Sequence, residues 1–115
     1  MLEHAETEVG RRLRRVALAV STSVWAWTRE AGIEIADGIV LLAVSDTNGM
    51  RAAAVSTRSG LPLDVVYPAL HRLTDRGYAL EEHRNHSLTT EGQRLVAEFD
   101  RVSAPLSITE TKGMS

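Results

Sequence analysis

Cysteine is absent from this chain. No disulfide scaffold can hold it and no thiolate zinc site can form, which fits a reducing compartment. Aromatic residues make up only 4% of the 115 positions, so aliphatic side chains and alanine must build the core. Long apolar runs are missing. The longest, GIVLLAV at 38–44, falls far short of the roughly 20 residues that a membrane-spanning helix needs. The opening residues, MLEHAETEVGRRLRR, are acidic and then basic without an apolar stretch, so no secretory signal is expected. There is no excess of base either. The formal net charge is −2, so any electrostatic attraction for nucleic acid must come from a local patch. No P-loop, dinucleotide fingerprint or nucleophile–base arrangement is present, so neither an enzyme nor a cofactor is expected.

What is present has the composition of one globular domain, with 43% hydrophobic and 24% charged residues. Val9, Leu13, Val16, Val20, Val24, Trp27 and Ala31 recur at steps of four and three. That spacing predicts one long amphipathic helix over 3–31, ended by Gly32. A helix of about 28 residues is about 42 Å long, more than a domain of this size can cover. Its stripe of Val9, Leu13, Val16, Val20, Val24 and Trp27 is therefore expected to form a homodimer seam. Trp25 and Trp27 are expected as core or interface fillers in preference to a ligand pocket, and the arginines of RRLRR as a solvated helix edge.

Asp37 is placed to cap a short, nearly all-apolar helix over 38–45. SDTNG then reads as a loop, and a third helix runs from about Met50 to Ser59, with Ala52, Val55 and Ser56 inward and Gly60 at its end. A fourth helix spans 64–76. Val66, Leu70 and Leu73 form its inner face and Tyr67, His71, Arg72 and Asp75 its outer face. Pro68 near its entrance removes an amide barely committed to the helix ladder. YALEEH and HSLT flank RN, which reads as a hairpin. Thr89 or Thr90 can cap a fifth helix over about 91–101, and 104–115 lack periodicity and read as a flexible tail. The expected organisation is a helix over 1–32, a domain over 33–103 and that tail.

Helix, tight turn, helix and hairpin form the order of a winged helix-turn-helix. The expected fold is mainly α with a small β-hairpin wing and a long N-terminal dimerisation helix. VYPALHRLTDRGY resembles the recognition helix of PadR-type regulators. SLTTEG resembles the LT-x-x-G segment that follows the wing in PadR-type and MarR-type regulators, and GIVLLAV resembles the helix before the helix-turn-helix in both. The likeness covers about residues 36–97 and implies a homodimeric transcriptional regulator in the cytoplasm, associated with the nucleoid.

The expected function is thus a sequence-specific regulator, a repressor, that binds double-stranded operator DNA through helix 64–76 and wing 78–89. The expected DNA contacts are Arg58, Leu63, Asp64, Tyr67, Pro68, His71, Arg72, Arg84, Asn85 and His86. Asp64 serves as a cap or as an acceptor for a cytosine amino group, and Arg72 reaches a guanine edge or a phosphate. Arg84, Asn85 and His86 form either the working wing tip or a turn chosen for its backbone. His71, His83 and His86 lack cysteine or paired-carboxylate company, so no metal site is expected. A small-molecule or protein effector stays open. The alternative function is a winged-helix interaction module that no longer binds DNA, such as an antagonist of a regulator.

Overall fold

The structure, a computed structural model, describes residues 22–101. Within them the chain forms α1 (described over 22–31), α2 (Ile35–Val44), α3 (Ala52–Ser59), α4 (Leu63–Asp75), β1 (Ala79–Glu82), β2 (Asn85–Leu88) and α5 (described over 90–101). The positions Val9, Leu13, Val16 and Val20 and the segment 104–115 lie outside the described residues.

The joints between helices follow from local chemistry. At the end of α1 the Gly32 amide donates to Arg29 O and the Ile33 amide to Thr28 O. These are the two bonds of a Schellman stop. The same pair recurs after α4, where Gly77 donates to Thr74 O and Tyr78 to Leu73 O. Between α3 and α4 the turn is tight. Gly60 takes φ +79, a conformation that costs a residue with a Cβ about 1 kcal/mol or more. Ser56 Oγ then donates to Leu61 O at 2.6 Å, and Ser59 Oγ accepts from the Leu61 amide at 3.1 Å, so the turn is held from both sides.

Several boundaries differ from the sequence reading. α2 starts at Ile35 with Glu34 as its N-cap, so Asp37 is the third residue of the helix and not its cap. Its carboxylate accepts from the Glu34 amide in a reciprocal capping box. Met50 is outside α3: its backbone pairs with His86 in both directions, at 2.8 and 2.7 Å, and so adds a bridge to β2. α4 begins one residue early, at Leu63. Pro68 is thus the sixth residue, beyond the free amides of the first turn. It is tolerated because it is exposed, leaving the carbonyl it cannot serve on the solvent side.

The two strands pair antiparallel, with Ala79 opposite Leu88 and Glu82 opposite Asn85. The turn is therefore His83-Arg84, one residue earlier than RN. The Met50–His86 bridge and the burial of Ala79 fix that register. Thr89 ties the hairpin to α5. Its hydroxyl donates to Gly77 O and accepts from the Gly92 amide, as an N-cap does.

The core is aliphatic, as the scarcity of aromatics requires. Val40, Leu41 and Val44 of α2 meet Val55 of α3 and Val66, Ala69, Leu70 and Leu73 of α4. Trp27 is the large exception. It is 2% exposed, its indole N–H donates to Leu95 O at 2.8 Å, and its ring lies 5.0 Å from that of Phe99. Trp27 therefore joins α1 to α5 inside one chain, which corrects its assignment to a dimer seam. Val24 is likewise buried within the chain, at 6% exposure. Both inward positions satisfy the same periodicity that suggested the seam.

α1 crosses α2 at Gly38. A Cβ there would run into the Thr28 methyl group and lie 3.0 Å from the Trp27 ring. Thr28 cannot retreat, because it is itself buried and its hydroxyl donates to Val24 O. We expect Gly38→Ala to destabilise the domain by about 1–3 kcal/mol through overpacking, despite alanine's better helix propensity. Urea unfolding would register this as a lower midpoint at an unchanged slope.

Candidate nucleic-acid interface

α4 has two well-separated faces. Val66, Ala69, Leu70 and Leu73 are buried, whereas Leu63, Asp64, Tyr67, Pro68 and His71 are exposed. Tyr67 shows 58% of its surface. Beside this face, the start of α3, the middle of α4 and the hairpin enclose an open cleft of about 490 Å³. Tyr67, His71, Arg84 and His86, all anticipated from the sequence, line it together. Arg51, Leu70, Thr74 and Glu81 line it too. Arg51 was missed; the signal was a base directly before an alanine-rich helix, and it became readable only once α3 was seen to start at Ala52.

The remaining anticipated residues fall elsewhere. Leu63 and Asp64 are exposed on the first turn of α4, and Arg58 is exposed late in α3. None of the three lines the cleft. Asn85 is half-buried and turns toward the loop before α3, where its amide fills the space beside Gly49. His86 is half-buried in the cleft wall, and its Nδ1 is buried without a hydrogen-bond partner. His71 Nε2 lies 3.5 Å from Asp75 on the exposed side of α4.

Arg72 departs most from expectation. It does not join Tyr67 and His71 on the outer face. Its guanidinium reaches back to α2, with Nε 3.0 Å and Nη2 2.7 Å from Asp37 Oδ1, and Nη2 3.7 Å from Glu34. Asp37 is 2% exposed. A buried carboxylate without a partner would be costly, so the fork of Arg72 goes to it and not to solvent. The hydrogen bond to Asp37 raises the arginine's pKa. Partial burial opposes that rise, and the charges of Asp37 and Glu34 add to it. A raised pKa means that the arginine's contribution is complete below its ordinary value and is lost only as pH rises through the higher one. The arginine side of this contact therefore does not titrate near neutrality.

The hairpin tip is strained. His83 has φ +53 and Arg84 φ +66, the signature of a type I′ turn. Such turns favour asparagine and glycine, yet Asn85 sits just outside the turn and an arginine occupies the place that suits glycine. Backbone preference alone does not account for an arginine at Arg84.

No protein-family model matches the chain, and none of the curated proteins matches it in sequence. Solved structures do match. A MarR-family transcriptional regulator from Silicibacter pomeroyi superposes with a TM-score of 0.80 at 15% identity, over 96% of this chain and 79% of that one. The transcriptional regulator Tm0710 from Thermotoga maritima gives 0.74 at 19% identity, over 93% and 80%. BpsR from Bordetella bronchiseptica, whose DNA binding is regulated by 6-hydroxynicotinic acid, gives 0.65 at 20% identity, over 90% and 80%.

The fold is a winged helix-turn-helix. α3 and α4 are its helix pair and β1–β2 its wing. The MarR type among these structures is the second of the two families that the sequence resembles; the α4 motif is the part of the likeness particular to the PadR type.

The strained tip yields a stability test. Arg84→Gly relieves the unfavourable φ and should stabilise the folded protein by about 0.5–1 kcal/mol. Calorimetry should show a melting temperature higher by about 3 °C. An unchanged or lower value would mean that the Arg84 side chain supports the fold.

Proposed function

We propose that this protein is a sequence-specific DNA-binding transcriptional regulator, a repressor, acting as a homodimer. One observation carries the reading. Arg51 before α3, Tyr67 and His71 of α4, Arg84 of the hairpin turn and His86 of β2 converge on one open cleft, beside the outer face of α4. In a helix-turn-helix the second helix lies in the major groove with its first turns at the base edges. On this reading Leu63, Asp64 and Tyr67 of α4 lie at the bases. Arg51 and Arg84 then flank the helix as phosphate contacts, and Arg58 is a further base at the end of α3. The strained turn that presents Arg84 supports the same reading. The likeness to regulators of the MarR type supports it independently.

The homodimer rests on the apolar repeat of Val9, Leu13, Val16 and Val20, without Val24 and Trp27. Val20→Glu places a charge in that repeat and should convert the dimer to monomer in sedimentation at micromolar concentration. A wild type that is monomeric there would remove the dimer from the reading. A small-molecule effector fits as well. BpsR responds to 6-hydroxynicotinic acid, and here a shallow hollow of about 480 Å³ opens between α1 and α2, lined by Trp25, Arg29, Ile33, Glu34 and Ile35.

Selection from a random DNA pool tests the function directly. Two α4 helices related by a two-fold axis should recover an inverted repeat with half-sites about 10 base pairs apart. Arg84→Ala should weaken binding to all sequences alike and flatten the salt dependence by about one unit of slope per subunit. A folded, dimeric wild type that binds no DNA even at about 50 mM salt would reject this function and leave the interaction module in its place.

A further inference from the structure

Two arginines at the C-terminal end of α4, Arg72 within it and Arg76 as its C-cap, point away from the proposed DNA surface and grip the same place. Arg72 holds Asp37 and lies beside Glu34, in the first turn of α2. Arg76, one turn further on, donates from Nη1 to Gly32 O at 2.7 Å. Gly32, Glu34 and Asp37 belong to one short joint, where the Schellman stop of α1 passes into the capping box of α2. Asp37 serves that joint twice, because the carboxylate that accepts from Arg72 also accepts from the Glu34 amide. Apolar packing between α2 and α4 is non-directional and tolerates sliding. A planar guanidinium fork on a buried carboxylate does not.

We propose that Arg72 and Arg76 are positioning residues for DNA recognition: they lock α4 in rotation and height against the α1–α2 joint, and so aim its first turn. This rests on the DNA-binding reading above. It also makes the 32–37 joint the place where a displacement of α1 against α2 would reach the recognition helix.

Positioning and direct contact predict opposite outcomes for one change that removes no base. In Asp37→Asn the fork loses its charged partner while side-chain shape is kept. If Arg72 were a DNA contact, freeing it would leave binding unchanged or strengthen it. If Arg72 positions α4, affinity for the selected inverted repeat should fall about ten-fold or more, the equivalent of one lost charge-assisted hydrogen bond. Affinity for unrelated DNA and the salt slope should stay as in the wild type, because no phosphate contact is lost. Arg72→Gln should show the same pattern, and the double variant should lose little more than either single one. Arg76→Met serves where Asp37→Asn folds poorly, since Arg76 is exposed; it should also lower the specific-to-unrelated affinity ratio at an unchanged slope. Circular dichroism and melting establish that each variant is folded.

Folded Asp37→Asn and Arg76→Met proteins that discriminate like the wild type would overturn the proposal. So would an Arg72→Gln protein whose slope falls by about one, which would make Arg72 a phosphate contact. A wild type that binds no DNA overturns the regulator reading itself, and the positioning role with it.

Discussion

The carboxylate of Asp37 is the constraint around which the described domain is arranged. It sits almost wholly inside the protein, where an unpaired charge would cost several kcal/mol. Two groups offset that cost, the guanidinium of Arg72 and the backbone amide of Glu34. Both partners must therefore be where they are whenever the domain is folded. That fixes α4 to α2 at one relative position. The rest follows by packing: α3 fills the angle between α2 and α4, and β1 lies along α4. The Met50–His86 bridge then ties the hairpin back to the chain entering α3. The cleft exists because these three contacts close a ring around it.

The same constraint divides the labour along α4. Its C-terminal half is spent on structure, with Arg72 and the capping Arg76 turned to the α1–α2 joint and Leu73 in the core. Its N-terminal half is open, with Leu63, Asp64 and Tyr67 unburied. The surface offered by the first turns is therefore apolar and acceptor-bearing, without a base. Thymine methyl groups and cytosine amino groups are the base-edge features that suit such side chains, whereas guanine favours arginine. On the proposed DNA-binding reading, with Arg72 engaged internally, guanine contacts fall to His71 or to residues outside α4.

Much of this was legible in the sequence because it depends on local rules. Helix faces follow from spacing, so Val66, Leu70 and Leu73 were placed inward and Tyr67 and His71 outward. Gly32, Gly60 and Gly77 marked helix ends, and Thr89 or Thr90 marked the start of α5, of which Thr89 is the cap. What escaped depends on partners distant in the chain. Periodicity locates the Cα of Arg72 but not its long side chain, and Asp37 lies 35 residues away. Trp27 fitted a seam and a core equally well, because the repeat says that a face is covered and not by what. The turn register was misread by one residue because asparagine is the better turn former. Tertiary pairing with Met50 overrode that preference.

The charge distribution gives the low net charge a different meaning. Arg72 and Arg76 are committed within the domain, so among the described residues the arginines that line the cleft beside α4's outer face are Arg51 and Arg84, with Arg58 exposed late in α3. Glu81 lines the same cleft and adds a negative charge beside Arg51 and Arg84. A surface with so few cations displaces few counterions, so its hold on arbitrary DNA must be weak. Weak non-specific attraction also raises the share of binding that depends on correct seating of α4, since each base contact then counts against a small background. On such a surface the aim of the recognition helix matters more than the field around it. Under the proposed positioning role, the rigid ion pair behind that helix serves function as well as structure, and the acidity of the chain is compatible with reading a sequence.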